Sequence, residues 1–320
     1  MTISTAAGFK VRDDVQPLPV LQAAALAQEQ PESRWLIESI WPADAVGVIG
    51  GHPKSCKTFW GLELAVSVAT GTACLGRFQV KRPGRVLIYL AEDPAHAVRD
   101  RLSALCAHRG LSLSDVDLHV IVAPRLKLDA NADLRSLDIT LAKHRPVLLV
   151  LDPLVRLHSR DESIAHEITP VLDSLRILQR RHHLAIALVH HARKNAHRMD
   201  NGQGLRGSGD IFAWADVLHY LNREAAGIRL IAEHRTAPAP DPITLKLVSQ
   251  PPHLEIVDQA DNQAPSLEDR VLRTLATANE PIPRTELRGL LAVNNQRLGD
   301  TLLKLESLGR IRHTDDGWHV

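Results

Sequence analysis

The sequence has few cysteines, and their spacing excludes two common roles. Cys56, Cys74 and Cys106 are the three thiols among 320 residues. Separations of 18 and 32 residues form no Cys-x-x-Cys zinc site, and an odd number of cysteines forms no regular disulfide framework. The metal motif His-Glu-x-x-His does not occur either. We therefore expect reduced thiols in a cytoplasmic protein.

The sequence also has almost no net charge and no long hydrophobic runs. Lys and Arg number 38 and Asp and Glu number 37, and a net charge of +1 excludes a strongly basic chromatin-type protein. The longest apolar runs, such as Pro146–Leu151, are far shorter than the ~18 residues that span a bilayer. Met1–Asp14 shows no basic start followed by an apolar stretch, so we expect no signal peptide and no membrane partner.

The sequence does contain short apolar runs that alternate with longer amphipathic stretches, a pattern typical of a parallel α/β sheet. Hydrophobic residues make up 44% of the chain, enough for a sizeable core. The predicted strands are Ala45–Ile49, Arg85–Leu90, Leu118–Ile121, Val147–Leu151, Ala185–Val189, Val217–Leu221, Ile228–Glu233, Thr244–Val248 and Leu254–Val257. The predicted helices of this part are Lys57–Thr70, His96–Arg109, Asp133–Lys143 and Glu167–His182.

Composition divides the chain into four parts. Residues 1–31 mix Ala, Gln, Glu and Pro and are predicted to form an arm with one short helix at Val20–Glu29. The α/β pattern occupies residues 32–258. A polar, turn-rich linker follows at 259–266, and residues 267–320 are predicted to form a small separate domain.

The first predicted strand runs into a glycine-containing turn and then into Lys57 and Thr58 at the start of a helix. Strand, loop and helix in this order are the context of a phosphate-binding loop, whose backbone N–H groups and helix N-terminus bind phosphate oxygens. Lys57 would reach the β- and γ-phosphates, and Thr58 would bind Mg²⁺. The expected cofactors are ATP and Mg²⁺, because no guanine signature Asn-Lys-x-Asp is present. The predicted nucleotide-binding residues are Gly51, His52, Pro53, Lys54, Ser55, Cys56, Lys57 and Thr58.

Cys56 departs from the motif, which has glycine immediately before the lysine. A Cβ at this position disfavours positive φ and limits how closely the backbone wraps the phosphates. We expect this change to affect the catalytic rate more than nucleotide binding. A thiol at a helix N-terminus can be reactive, and an unreactive small residue is the alternative.

Three further predicted strands end in polar residues: Glu92, Asp152 and the pair His190 and His191. The carboxyl ends of parallel strands face the ligand crevice. Glu92 can orient and deprotonate water, Asp152 can complete the Mg²⁺ shell, and a histidine can sense the γ-phosphate. Each residue alone is a weak signal, but together with the loop they predict nucleotide hydrolysis.

In this order the motifs resemble the RecA/DnaB-type ATPase core, and within it the plasmid RepA-type ATPases, relatives of the hexameric replicative helicases. The resemblance covers residues 35–257 and rests on Ala-Glu-Asp-Pro at 91–94, His-His-Ala-Arg-Lys at 190–194 and Arg-Gly-Ser at 206–208. It implies a RecA-like P-loop NTPase core, with a mostly parallel sheet and helices on both faces. It also implies nucleotides bound between the subunits of a hexamer.

The resemblance carries roles over to residues of this chain. Lys57, Thr58, Glu92 and Asp152 take the roles given above, and His191, with His190 beside it, matches the sensor. DnaB-like helicases carry a late Lys-x-Arg that reaches the γ-phosphate of the neighbouring subunit. Arg235 is the matching candidate for this arginine finger, although Glu233 replaces the lysine.

Two segments are candidates for DNA binding. The long polar segment 190–206 would contact single-stranded DNA through Arg193, Lys194, Arg198 and Arg206, and a surface loop with solvated charges is the alternative. Residues 267–320 are predicted to form three helices, at 267–278, 285–291 and from 294 or 295 to 308. A hairpin with an Asp-Gly turn follows. This order resembles a winged helix-turn-helix, in which Arg297 and Lys304 would contact duplex DNA, with a protein partner as the alternative.

These patterns predict an ATP-hydrolysing, DNA-associated protein that forms a ring, most plausibly a hexameric helicase in replication of a plasmid, phage or mobile element. An ATP-switched DNA-binding regulator with slow turnover and no translocation is the alternative. A recombination mediator that forms filaments on single strands is a third hypothesis.

Overall fold

The computed structural model describes residues 18, 20–25, 34–191, 209–257, 267–278, 280–291, 293, 295–314 and 317–319, with the backbone alone for residues 295–297. Its strands are β1 Trp35–Ile37, β2 Trp41–Pro42, β3 Val46–Gly51, β4 Val86–Leu90, β5 Leu118–Val120, β6 Leu148–Asp152, β7 Ala185–Val189, β8 Val217–Glu224, β9 Gly227–His234, β10 Ile243–Ser249, β11 Pro252–Ile256, β12 Arg312–Thr314 and β13 Gly317–His319. Its α-helices are α1 Lys57–Thr70, α2 Ala95–His108, α3 Asn131–His144, α4 Ala165–His182, α5 Gly209–Trp214, α6 Leu267–Ala276, α7 Arg284–Leu291 and α8 Asn295–Ser307.

The described core is built on one nine-stranded sheet in the order β11-β10-β9-β8-β3-β7-β6-β4-β5. Strands β3 to β8 pair in parallel, and β9, β10 and β11 continue the sheet as an antiparallel meander. This confirms the predicted α/β class with a largely parallel sheet. Because β3, β4, β6 and β7 run in the same direction, their carboxyl ends lie along one edge of the sheet.

Alternation along the buried strands gives the sheet an apolar surface on each face. On β7, Ala185, Ala187 and Val189 face one core, which α1 and α2 cover, while Ile186 and Leu188 face a second core, which α3 and α4 cover. A strand buried on both faces is a continuous apolar run in the sequence, which is how these strands were predicted.

Charges at the helix ends agree with the helix dipoles. Helix α4 has Glu167 in its first turn and Arg180, Arg181 and His182 in its last turn. Negative charge near the N-terminus and positive charge near the C-terminus each stabilise a helix. His183 in the left-handed conformation then ends α4 and turns the chain into β7.

The N-terminal part departs from the sequence-based prediction. The helix expected at Val20–Glu29 is wrong at its start, because Val20 to Gln22 are not helical and Ala23–Ala25 form a single 3₁₀ turn. The rest of that predicted helix lies outside the described residues. The short hairpin of β1 and β2 was not predicted, because two-residue and three-residue strands carry too little periodicity to recognise.

The C-terminal unit has the predicted order of three helices and a hairpin. Its own hydrophobic core unites Val271 of α6, Leu287 of α7, Leu302 of α8 and Trp318 of β13. The prediction of Gly317 in the turn is wrong, because Gly317 pairs with Thr314 inside the hairpin. A Cβ on Gly317 would lie 2.5 Å from the backbone of Ile282, so glycine serves a close contact there. Assignment as a winged helix stays a prediction.

The described helices include none whose length and apolar character would allow it to cross a membrane.

Burial predicts unequal costs for two substitutions on α4. Leu175 is fully buried in the second core, whereas the Ile177 side chain is 55% exposed. Leu175→Ala should lower the free energy of unfolding by about 2–5 kcal/mol, because it removes apolar contacts and leaves a cavity. Ile177→Ala, the matched control, should change it by less than about 0.5 kcal/mol. Urea unfolding followed by circular dichroism measures both, and similar losses would contradict the placement of α4.

Candidate functional site

The phosphate loop begins where β3 runs against β8. Gly51 has a φ of 151°, and a Cβ there would lie 2.3 Å from the carbonyl oxygen of Leu221. Only glycine fits this approach. The chain then turns through residues 52–56 into α1, which begins at Lys57. The free N–H groups and the positive dipole end of α1 therefore border the loop and favour an anion.

Cys56 occupies the position where the motif has glycine, and it has the backbone conformation of that glycine. Its φ of 63° and ψ of 26° are left-handed, which costs an L-residue about 1–2 kcal/mol. Its half-buried side chain contacts Arg223 of β8. Burial raises the pKa of the thiol, while Arg223 and Lys57 act against this shift. The raised pKa favours the protonated, unreactive thiol over the reactive one.

A buried hydrogen-bond chain fixes α1 to the sheet one turn after the loop. The Trp60 indole donates from Nε1 to Nδ1 of His219 on β8 at 2.9 Å. Burial lowers the pKa of His219 to about 3, so the ring is neutral at pH 7 and Nε2 carries its proton. Nε2 then donates to the carbonyl of Ile40 at 3.1 Å. These two hydrogen bonds therefore connect the first turn of α1, through His219 of β8, to the backbone at Ile40.

Lys57 is a buried cation with its amine inside the loop. Nζ donates to the carbonyl oxygen of His52 at 2.7 Å. Burial lowers the pKa of Lys57, and the nearby Asp152 carboxylate opposes this shift. A partly desolvated ammonium group held in the loop is suited to phosphate oxygens, as the sequence predicted.

Thr58 and Asp152 are in contact at the carboxyl edge of the sheet. The Thr58 hydroxyl donates to Oδ2 of Asp152, at the end of β6, over 2.6 Å. Burial is the main reason that the pKa of Asp152 rises to about 6; Thr58 lowers it, and Asp93 and Glu92 raise it further. A hydroxyl and a carboxylate oxygen are donors that Mg²⁺ prefers. These two residues therefore fit as the ones that would hold the ion.

Glu92 and Asp93 follow β4, next to β6 in the sheet, and each is paired with an arginine. Oδ2 of Asp93 accepts from Arg101 of α2 at 2.6 Å, and Oε1 of Glu92 accepts from Nε of Arg156 at 2.7 Å. Both carboxylates border the same cavity as Lys57. Glu92 therefore lies on the same cavity as Lys57 and Asp152, as the sequence predicted.

The two adjacent histidines lie on opposite faces of the sheet. His191 borders the cavity, and its pKa is lowered by burial and by the charges of Lys57 and His190. Its Nδ1 is buried and accepts or donates no hydrogen bond among the described residues. His190 points to the other face, where its Nδ1 lies 3.8 Å from Oε1 of Glu162. Of the predicted pair, His191 therefore faces the nucleotide site.

These side chains surround one cavity of about 410 Å³ at the carboxyl edge of the sheet. Six of its lining residues were not among the predicted site residues: Phe59, Asp93, Arg101, Pro153, Arg223 and Leu247. Arg223 and Leu247 come from β8 and β10, whose position beside the loop depends on the strand order. Arg101 of α2 reaches the cavity beside Asp93, which lies before the helix begins, so no local spacing rule predicts this contact.

Arg235, the candidate arginine finger, lies at the opposite edge of the sheet. It follows β9, whose His234 pairs with Val217, and Val217 pairs in turn with Gly47 near the start of β3. At about 3.3 Å per residue, the length of β3 separates this edge from the loop. The guanidinium pairs with Asp216 at 3.3 Å and with the Ala213 carbonyl. Arg235 therefore cannot reach the phosphate loop of its own chain.

Most predicted DNA contacts lie outside the described residues. This applies to Arg193, Lys194, Arg198 and Arg206, and to the side chain of Arg297. Lys304 is described on α8, where its Nζ lies 2.6 Å from Oε1 of Glu268 on α6. The side chains of both residues are partly exposed, so Lys304 remains accessible.

Comparison with known proteins gives the family. The AAA_25 family, described as AAA domain, matches residues 12–197, which is more than half of the chain. The chain belongs to this AAA domain family. With the phosphate loop and the strand-end residues, this membership identifies the core as a P-loop ATPase.

Two solved structures share the fold at low sequence identity. One, an ATPase domain, is 15% identical with a TM-score of 0.50, and the match covers 67% of this chain and 85% of that domain. The other, a DnaB-like replicative helicase, is 15% identical with a TM-score of 0.52. That match covers 67% of this chain and 57% of the helicase, so this chain spans little more than half of that protein. At this identity the likeness concerns the fold alone.

The geometry of Cys56 predicts opposite outcomes for two substitutions. Cys56→Gly should change ATP affinity less than about threefold, because the backbone already has the conformation that glycine prefers. Cys56→Val should weaken affinity by about tenfold or more, because a β-branched residue is strained in the left-handed region. Titration with a fluorescent ATP analogue measures both.

Cys106→Val on α2 is the matched control and should leave affinity unchanged, because Cys106 does not border the cavity. Equal losses in Cys56→Gly and Cys56→Val would show that the sulfur, rather than the backbone conformation, supports binding.

Proposed function

We propose that this protein hydrolyses ATP with Mg²⁺ and couples hydrolysis to DNA. The proposed role is that of a ring-forming helicase in replication of a plasmid, phage or mobile element. The observation that carries the proposal is the convergence of Lys57, the Thr58–Asp152 pair, Glu92 and His191 on one cavity.

Each residue has a part in hydrolysis that follows from its position. Lys57 binds the β- and γ-phosphate oxygens from within the loop, and Thr58 and Asp152 hold Mg²⁺. The ion, when bound, neutralises negative charge on the phosphates. Glu92 orients the water and accepts its proton. Nδ1 of His191, which has no hydrogen-bond partner among the described residues, would contact the γ-phosphate.

The position of Arg235 supports action between subunits. Its guanidinium lies at the sheet edge opposite its own loop, so it can serve only the site of a neighbouring copy. The arrangement of nucleotide sites between subunits in the resembling family supports a ring, and a hexamer is the proposed form. The fold shared with a DnaB-like replicative helicase supports the coupling to DNA.

Two surfaces are proposed for DNA. Single-stranded DNA would contact the basic residues of 190–206, and duplex DNA would contact Arg297 and the accessible Lys304 in the C-terminal unit. Phosphate contacts by lysine and arginine would make both interactions sensitive to salt.

A regulator that binds ATP and DNA without translocating is the second candidate. The observation that favours it is Glu233, an acid on β9 at the position where the resembling helicases have lysine. Burial raises the pKa of Glu233, which disfavours its ionised form. In either form, Glu233 does not supply the positive charge of the lysine that it replaces. An arginine finger at Arg235 without the companion lysine is compatible with slow ATP turnover.

Steady-state ATP turnover, with and without single-stranded DNA, tests the proposal. Wild-type protein should hydrolyse ATP faster with DNA. Lys57→Ala and Glu92→Gln should each lower kcat by about 100-fold or more, because they remove the phosphate cation and the base. Lys81→Ala, a lysine paired with Glu38 and absent from the cavity lining, is the control and should retain turnover.

Retained turnover in Glu92→Gln would contradict the assignment of the base. Tight ATP binding with negligible turnover in wild-type protein would support the regulator. A strand-displacement assay on forked DNA separates the two functions further. A helicase unwinds the fork, whereas a regulator binds the DNA and slows its migration in a gel without unwinding it.

A further inference from the structure

Arg156 lies beside the proposed base because the strands that precede the two residues are neighbours. Strands β4 and β6 pair in parallel, and Leu90 lies opposite Asp152. Glu92 follows Leu90 by two residues, and Arg156 follows Asp152 by four. The segment after the metal-binding aspartate therefore crosses next to Glu92 at the carboxyl edge of the sheet.

The turn that carries Arg156 is fixed by its neighbours. Residues Leu154–Arg156 form a 3₁₀ turn, in which the Arg156 amide donates to the Pro153 carbonyl at 3.0 Å. Leu154 and Leu157, on either side of the exposed pair Val155 and Arg156, are fully buried in the second core. Arg156 is thus projected from an anchored backbone, which makes its direction reproducible.

The guanidinium holds one oxygen of Glu92 and leaves the other for the reaction. Nε of Arg156 donates to Oε1 at 2.7 Å, with side chains that are 62% and 47% exposed. A glutamate with this exposure would otherwise sample several rotamers. A charge-assisted hydrogen bond to Oε1 fixes the plane of the carboxylate. Oε2 takes no part in this hydrogen bond, and Glu92 borders the cavity together with Asp152.

We infer that Arg156 is a positioning residue for water activation, acting through Glu92. This inference rests on the proposed hydrolysis and deepens it. Arg156 itself is not among the described residues that line the cavity, so it is not expected to bind nucleotide. An exposed ion pair of this kind contributes little to folding stability, which separates its effect on catalysis from an effect on the fold.

Arg160 provides a matched control in the same segment. It carries the same charge, its side chain is 52% exposed, and it pairs with Asp129 at 3.4 Å rather than with a residue of the cavity. Arg156→Gln and Arg160→Gln therefore remove the same charge from a similarly exposed position. Only Arg156→Gln removes a contact with Glu92.

The test compares steady-state kinetics of six forms of the full chain: wild type, Arg156→Gln, Arg156→Lys, Arg160→Gln, Glu92→Gln and Arg156→Gln combined with Glu92→Gln. Arg156→Gln should lower kcat by about tenfold to 100-fold through misplacement of the base, and should change KM for ATP by less than about twofold. Arg156→Lys should restore part of kcat, and Arg160→Gln should match wild type. In single-turnover measurements the double variant should be no slower than Glu92→Gln alone, because Arg156 acts through Glu92.

Three outcomes would overturn the inference. The first is an unchanged kcat in Arg156→Gln while Glu92→Gln is inactive, which would leave the proposed hydrolysis intact. The second is a further loss in the double variant below Glu92→Gln, which would show an independent role. The third is full turnover in Glu92→Gln, which would remove the proposed base and the inference with it.

Discussion

The hydrogen bond from Thr58 to Asp152 is the contact on which the rest of the site depends. It joins the first turn of α1 to the carboxyl end of β6 at 2.6 Å, although 94 residues separate the two in the chain. Asp152 is buried there, and desolvation raises its pKa to about 6. A carboxylate in this state has a large share of its hydration removed, so a bound divalent cation would compensate its negative charge in this low-dielectric environment.

Strand order turns this contact into a site. β3 lies at the centre of the sheet, with β7 on one side and β6 and β4 beyond it, so the phosphate loop, His191, Asp152 and Glu92 follow one another along a single edge. The side-chain alternation of β7 places His191 toward the loop and His190 toward Glu162 on the other face. The same strand order places Arg235 at the far edge, where it pairs with Asp216.

The strongest sequence signals were those with local physical causes. Helix α1 has the predicted bounds Lys57–Thr70, with the left-handed Gly71 at its end, and the buried strands are continuous apolar runs. Contacts set by strand order were not predictable: Arg223 and Leu247 reach the cavity from the meander, and Arg156 meets Glu92 only because β4 adjoins β6. Gly317 was placed in a turn from the Asp-Gly pattern, but close packing against Ile282 determines its position. Cys56 was expected to disfavour a positive φ, and it nevertheless adopts the left-handed conformation that glycine favours.

Calorimetric titration of ATP in the presence of Mg²⁺ and of EDTA tests the central claim most directly, with wild-type protein and Asp152→Asn compared. The account predicts that Mg²⁺ strengthens ATP binding to wild type by about tenfold or more, and that Asp152→Asn removes this gain while metal-free binding through Lys57 and the loop remains. An equal gain from Mg²⁺ in both proteins would contradict the account, because it would show that the metal is held without Asp152.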